Sequence, residues 1–422
     1  MRRARADCGR RLAGLLALGL LLAGCAGLPR PPAEDAEARL ALLEEVWQVI
    51  DKRHVDPPPP DWPLARERHR QAVLEAPAEP DPEALWQALD RVAGERRDAH
   101  TRVEGPRDVR RRVADRGPTL GFTLARIEDQ WVAERVQAGS AAAAAGLRPG
   151  MRLLRWQGRE VEAEWAERLA RSRQSSTPQA RALTALRQWL DGPPGSRVLL
   201  HWQGLEGQVL PMELERTEQE LPPRWSFEPR ASGVAVLRWN RFDTRIEGAL
   251  AETLRHLPPI SGLVLDLRGN GGGNFEMTRR LLELLLPENQ PVQLTRLRGS
   301  QKQELHRAGG PGAYAGPLRV LVDAGSASGA EMLAGALQHA GRARVLGETS
   351  CGCLLGIQRY LGLPGGGRLA VSERALTLPD GRRLEGQGLQ PDRLIVRSLA
   401  ALRAGRDEVL EAAEQELLAR SE

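Results

Sequence analysis

Residues 318–353 read LRVLVDAGSASGAEMLAGALQHAGRARVLGETSCGC, and this stretch decides how the chain is read. Leu318-Arg319-Val320-Leu321-Val322 is a short apolar run of the kind that forms a buried strand. The small residues of Gly325-Ser326-Ala327-Ser328-Gly329-Ala330-Glu331 follow. Met332, Leu333, Ala336 and Leu337 then recur at helical spacing. The pattern predicts strand, tight turn and helix, with Ser328 at the turn. A serine there is accessible and lies beside free helix N-terminal amides, which suits a nucleophile and its oxyanion. A plain helix cap would use the same residue types, so the turn alone does not decide the chemistry.

A second strand is predicted upstream. Residues 260–268, ISGLVLDLR, run into Gly269-Asn270-Gly271-Gly272-Gly273-Asn274 before another helix. A glycine run after a strand leaves backbone N–H groups open to a negative oxygen. It is not a phosphate-binding P-loop, because no Gly-Lys-Ser/Thr follows. Its contiguous glycines also fit the dinucleotide fingerprint poorly.

Taken in order, D-L-R-x-N-x-G-G (266–273) and V-D-x-x-S-A-S-x-x-E (322–331) resemble the motifs of the tail-specific, or C-terminal processing, serine peptidases of the S41 type. The resemblance implies an α/β, crotonase-like (Clp-protease-like) catalytic core with Ser328 as nucleophile. It implies an oxyanion hole formed by an amide of Gly271 or Gly272 together with that of Gly329, with Ser326 only a neighbour. The chain departs from the family at the general base. The processing branch carries a lysine in G-E-x-x-x-G-K, and here Gly347-Glu348-Thr349-Ser350-Cys351-Gly352-Cys353 puts Cys353 in its place. The chain has only two lysines, Lys52 and Lys302, both distant in sequence. A neutral thiol is a poor base toward a serine hydroxyl, so neither a Ser-Lys nor a Ser-Cys dyad is expected.

Asp98-Ala99-His100-Thr101 resembles the D-G-H-T of the tricorn-like and retinoid-binding-protein-like branch. Members of that branch use a histidine base, which makes His100 the candidate. Residues 385–392 resemble the family's E-G-x-G-x-x-P-D signature, and Glu385 is the candidate for the late glutamate that completes the site. A structural loop is the other reading of that segment. His54, His69, His201, His256, His306 and His339 receive no role.

Upstream, residues 38–105 predict three helices. Leu40, Leu43, Val46, Trp47 and Ile50 mark the first, and prolines at 57–60 stop it. The second starts at Asp61-Trp62-Pro63 and runs to about Leu74; the third opens near Pro82. Residues 117–217 resemble a PDZ domain with an insertion. Thr119-Leu120-Gly121-Phe122 matches its carboxylate-binding loop, so Leu120, Gly121 and Phe122 are the expected substrate-binding residues. Met151 stands where the G-L-x-x-G-D string of that domain has aspartate. Helices are expected within 164–190, broken by a polar loop at 172–178, and closing strands at 198–202 and 209–214. Residues 218–230 read as a linker. The core, 231–398, alternates strands (234–239, 263–267, 292–296, 318–322, 344–347) with helices, which indicates a mainly parallel sheet. Late strands are expected at 360–363, 368–372 and 374–378, and one amphipathic helix at 399–418, within a C-terminal segment 399–422.

Residues 1–24 hold five arginines and one aspartate, which account for +4 of the net charge of +5. The remainder is nearly neutral, so composition gives no support to a nucleic-acid role. Arg2 to Arg11 and the apolar run 12–23 read as a leader, and Leu22-Ala23-Gly24-Cys25 resembles a bacterial lipobox that lipidates Cys25. Residues 25–37 then form a tether. Cys351 and Cys353 cannot alone supply a four-ligand zinc site, so no metal or cofactor is expected. They either pair, in an oxidising periplasm, or stay as two thiols. The resemblance implies a serine endopeptidase facing the periplasm from a lipid anchor in the bacterial outer membrane, recruiting proteins or peptides by their C-termini. Two rival expectations stand beside it: a catalytically inactive PDZ scaffold, and a binder of an apolar small ligand.

Overall fold

The computed structural model describes residues 35–77 and 83–419. The leader, the Cys25 lipidation site and Pro82 lie outside them. Helix α1 (Ala36–Arg53) begins where the Asp35 carboxylate accepts the Glu37 N–H, and it turns Leu42, Leu43, Val46 and Ile50 inward. A 3₁₀ turn (Trp62–Leu64) leads into α2 (Ala65–Leu74), and α3 (Glu83–Gly94) completes the layer. Two elements follow that the sequence pattern did not announce, β1 (Arg102–Glu104) and α4 (Pro106–Val113). β1 pairs antiparallel with a late strand of the core, Arg102 opposite Ala370. Leu369 and Val371 of that strand join Trp62, Trp86 and Val92 in one apolar cluster. The helical layer is therefore welded to the core just beside residues 98–101.

An inserted β unit comes next: β2 (Arg116–Thr119), β3 (Phe122–Ile127), β4 (Gln130–Val136), α5 (Ala141–Ala144), β5 (Arg152–Trp156), β6 (Arg159–Glu160), α6 (Val161–Arg171), α7 (Pro178–Leu190), β7 (Arg197–Gln203), β8 (Val209–Glu215) and β9 (Thr217–Glu220). Its main sheet runs β3-β4-β5-β7-β8, all antiparallel, with β3 at the edge. β2 pairs with β9 and closes the unit at its neck. Trp131, Trp156, Trp165 and Trp189 pack ring on ring at its centre. Such aromatic burial lets a small β unit hold its own core.

The expected linker at 218–230 is largely strand. β10 (Trp225–Pro229) follows β9 and pairs antiparallel with β11 (Val234–Trp239). Prolines mask the pattern, yet an edge strand tolerates them. The core continues with α8 (Thr244–Arg255), β12 (Gly262–Asp266), α9 (Phe275–Glu283), β13 (Gln290–Leu297), β14 (Glu304–Ala308), β15 (Leu318–Val322), α10 (Gly329–His339), β16 (Arg344–Gly347), β17 (Leu355–Gly362), β18 (Arg368–Thr377) and β19 (Arg393–Leu394). One sheet runs β10-β11-β12-β15-β16-β19 and is parallel from β11 onward. Helices cover both its faces. Ile246, Leu250, Leu281 and Leu333 pack on one, and Val409, Ala413 and Leu417 on the other. This double burial explains why its strands read as continuous apolar runs.

β13 does not join that sheet. It lies with β14 and β18 in a second, antiparallel sheet that also holds β1 and β17. Periodicity gives a strand's existence but not its neighbours, so the expected mainly parallel core proves to hold a second, antiparallel sheet as well. The expected strands at 368–372 and 374–378 are one strand, β18. The expected terminal helix is two, α11 (Leu399–Arg403) and α12 (Glu408–Leu418), split where Gly405 takes φ 67° and Asp407 caps the second.

Candidate active site

β15 delivers the chain into a turn fastened to its neighbour. Ser326, fully buried, donates its hydroxyl to the Leu267 carbonyl at 2.8 Å and accepts the Asp323 N–H at 3.0 Å. It is a structural rivet, as a neighbour role requires. Ser328 is the N-cap of α10 and sits at φ 54°, ψ −114°. That conformation costs a non-glycine residue about 1–3 kcal/mol and persists only where its surroundings impose it.

The surroundings centre on Glu331, which is fully buried. Its Oε2 accepts the Ser328 N–H at 2.9 Å and the Cys353 N–H at 3.0 Å. Its Oε1 accepts the Gly352 N–H at 2.7 Å and the Ser350 hydroxyl at 2.5 Å. Ser350 Oγ accepts the Leu389 N–H at 2.7 Å, so its own proton is directed to Glu331. Burial pushes the Glu331 pKa up, and these donors pull against it. Every one of these partners is a donor, which is the environment of a carboxylate.

The glycine run lies against Ser328. A Cβ on Gly272 (φ 83°) would stand 2.6 Å from Ser328 Cβ and 2.7 Å from the Gly329 nitrogen, so only glycine fits. The Gly272 N–H, however, is donated to Asn270 Oδ1 at 2.9 Å. Gly272 therefore packs as a wall against Ser328 with its own amide engaged, and Gly271 is the other amide of the expected pair. Among the described residues, neither the Gly271 nor the Gly329 N–H has a hydrogen-bond partner. Asn270, fully buried, anchors the loop by donating to the Trp239 carbonyl at 2.9 Å and accepting the Ala327 N–H at 2.9 Å. Sequence reasoning gave it no role, although its place in the D-L-R-x-N motif was the available signal.

Cys351 and Cys353 are joined in a disulfide. The Cys353 carbonyl accepts the Ser328 N–H at 3.1 Å, and both cysteines pack with Ala99, Ala180 and Ala327. A disulfide sulfur has no proton to exchange, so Cys353 is not a base. Lys52 and Lys302 are exposed, on α1 and between β13 and β14.

His100 is half-buried, and its Nδ1 is sealed from solvent with no hydrogen-bond partner. Burial, outweighing the pull of Asp98, pushes its pKa down to about 4, so the ring is neutral at pH 7. Asp98 does not orient that ring. Its Oδ1 accepts the backbone N–H of His100 at 2.6 Å and of Thr101 at 3.1 Å, and the Ser372 hydroxyl at 3.0 Å. Its Oδ2 pairs with His54 Nε2 at 2.9 Å. His54 Nδ1 accepts from Arg96 at 2.8 Å, which puts the imidazole proton on Nε2. Burial works to raise the Asp98 pKa, but the hydrogen bond from His54 holds it well below the usual carboxylate range. His54, assigned nothing from sequence, thus fixes the loop that carries His100. Two buried residues far apart in the chain left no local signal.

Glu385 is buried, and its Oε2 accepts the Leu354 N–H at 2.6 Å. Burial first, and then the charge of Asp98, push its pKa up to about 8. Its Oε1 makes no hydrogen bond of good geometry. Ser328, the two free amides and the Cys351–Cys353 wall are brought together. Ala99, which precedes His100, packs on the disulfide, and Glu385 holds Leu354 next to Cys353, but among the described residues no hydrogen bond joins His100 and Glu385 to each other or to Ser328. In the inserted unit, Leu120 and Phe122 are buried in its core, and the Gly121 N–H is donated to Thr119 Oγ1 at 2.9 Å.

Residues 233–395 match the model of peptidase family S41. The chain is 30% identical over 207 residues to the carboxy-terminal processing protease CtpB of Bacillus subtilis, covering 47% of this chain and 42% of that protein. It is 27% identical over 401 residues to a carboxyl-terminal-processing protease of Synechocystis sp., covering 91% and 87% of the two chains. The chain thus spans less than half of the Bacillus relative and most of the Synechocystis one. Among solved structures, mature CPAF superposes with a TM-score of 0.69 at 14% identity, over 91% of this chain and 98% of that one. A photosystem II D1 C-terminal processing protease does so at 0.55 and 23%, over 90% and 97%. These structural likenesses establish a shared mixed α/β fold.

Proposed function

We propose that the protein is a processing-type serine endopeptidase that works without a lysine. One observation carries the reading: Ser328 is held at a positive φ, at a helix N-terminus, with the unpartnered Gly329 amide next to it and that of Gly271 in the glycine run packed against it. Ser328 Oγ attacks the peptide carbonyl while His100 takes its proton. The oxyanion accepts from the Gly271 and Gly329 N–H groups. His100 returns the proton to the leaving amine, and water releases the acyl group by the same route. Glu385, as carboxylate, steadies the imidazolium. The gaps around His100 and Glu385 are those of a substrate-free site, where catalytic hydrogen bonds close on binding.

The inserted unit reads as a PDZ domain. Edge strand β3 follows the 119–122 loop, and a substrate C-terminus would add there as a further strand. Recruitment would rest on backbone groups, since the loop's own apolar side chains are buried. A leader ending at Gly24, with Cys25 lipidated, would hold the enzyme at the periplasmic face of the outer membrane. The test is cleavage of an unfolded protein with an apolar C-terminus. The wild type is expected to degrade it, and Ser328→Ala to lose at least about a thousandfold in rate. A folded wild type that leaves the substrate intact would favour the scaffold instead.

A further inference from the structure

The connection between α6 and α7, residues 172–177, is the polar loop of the inserted unit. Only Gln174 of it is exposed. Ser172, Arg173 and Thr177 are all buried. Arg173 donates to the carbonyls of Asp98 at 2.9 Å and Thr101 at 2.6 Å. Gly94 leaves room for it, since a Cβ there would meet Arg173 Cβ at 3.0 Å. Ser176 Oγ accepts the Ala99 N–H at 2.9 Å. Thr177 donates to the Cys351 carbonyl at 2.7 Å and caps α7 by accepting the Ala180 N–H at 3.0 Å. Its methyl occupies the place a Cβ on Gly352 would need, at 2.6 Å. The Ser176 carbonyl lies 3.8 Å from the corresponding point on Gly386.

One short strap thus touches the loop carrying His100, the wall behind Ser328 and the turn carrying Glu385. Ser176 stands at the junction of two of them. With the Ala99 N–H on its lone pair, its proton is free to serve an acceptor. The neighbouring acceptor without a well-formed hydrogen bond is Glu385 Oε1. The Ser176 hydroxyl already favours the Glu385 carboxylate over its acid.

We propose that Ser176, supplied by the inserted unit, is a positioning residue that ties the His100 loop to Glu385 and holds the Glu385 carboxylate for catalysis. The proposal rests on the reading of His100 and Glu385 as the acid–base pair. It makes the inserted unit part of the active site and not only a recruiting module. A hydroxyl at this point would donate to Glu385 Oε1 once the carboxylate forms, while the amide it accepts keeps it aimed.

The test compares Ser176→Ala and Ser176→Thr in the whole chain, with kcat and KM measured across pH 6 to 10. Ser176→Ala is expected to lower kcat about tenfold near pH 7.5 with KM unchanged. The rising limb of its pH profile should move up by about one unit, because the carboxylate has lost a donor. Ser176→Thr keeps the hydroxyl and should restore both. In a Glu385→Gln background, Ser176→Ala should add no further loss. An unmoved pH limb, or an equal loss in the Glu385→Gln background, would overturn the proposal. A threonine variant that folds, by its thermal transition, yet behaves as the alanine one would do the same. If Glu385→Gln itself leaves hydrolysis unchanged, it is the acid–base reading that has failed, and Ser176 falls with it.

Discussion

The two halves of the site are built to different standards. Around Ser328 the protein is closed: Glu331 accepts four hydrogen bonds, and the glycine wall leaves no room for a side chain. Around His100 and Glu385 it is open. Nδ1 of one and Oε1 of the other are buried without a well-formed hydrogen bond. Leaving a buried polar atom unpaired costs about 1–3 kcal/mol. On the proposed reading, the nucleophile is thus fixed in advance, while the proposed acid–base pair waits for something to complete it. Their pKa shifts point the same way. Burial keeps His100 unprotonated below its ordinary range, a weak base until its surroundings change, and keeps Glu385 protonated to about 8, as a partner not yet engaged.

The closed half is the easier to break. Glu331→Gln keeps the shape but turns an amide NH2 toward the donors now facing Oε1 or Oε2. Ser328 would relax from its strained conformation, and kcat should fall at least about a hundredfold. The core should lose about 3 kcal/mol or more, seen as a Tm drop of several degrees in calorimetry. Wild-type activity in this variant would mean that the Glu331 network is not what shapes the elbow.

The open half is sharpened by pH. The folded protein keeps the Glu385 proton up to about 8, while the unfolded chain releases it near 4.5. Its contribution to stability is therefore present below about 4.5 and is lost as pH rises toward 8. His100 has the opposite sign. Its folded pKa of about 4 lies below the ordinary 6.5, so its contribution is present above 6.5 and is lost as pH falls toward 4. Glu385→Gln has no carboxylate to ionise, so its Tm relative to wild type should climb between pH 5 and 9. Thermal unfolding across that range checks it, and a flat difference would place the Glu385 titration elsewhere. The smallest effect is expected from Lys52→Ala and Lys302→Ala. Both lysines are exposed, and peptide hydrolysis should change by less than about twofold.

Much of the closed half was legible in the sequence because it is local. Strand, turn and helix around Ser328 lie within a single run, as do the glycines after β12. The open half was legible only as isolated residues. The contact of Ser176 with Ala99 spans 77 positions and that of Thr177 with Cys351 spans 174. No spacing rule reaches across such intervals. The pairing of His54 with Asp98 was hidden for the same reason, as was the membership of β13 in a second sheet. The donation of the Gly272 N–H to Asn270 was invisible for another: a glycine run advertises free amides but not which of them a neighbouring side chain claims.

The central claim is that Ser328 is activated by His100 and by no lysine. The most direct measurement is the rate of labelling by a fluorophosphonate serine probe in a form starting at Ala26. Wild type and the Lys52→Ala, Lys302→Ala double variant are compared with Ser328→Ala and His100→Ala. The account predicts equal labelling in the first two, none in Ser328→Ala, and a rate about a hundredfold or more lower in His100→Ala. Labelling of His100→Ala at the wild-type rate, or loss of labelling in the lysine variant, would contradict it.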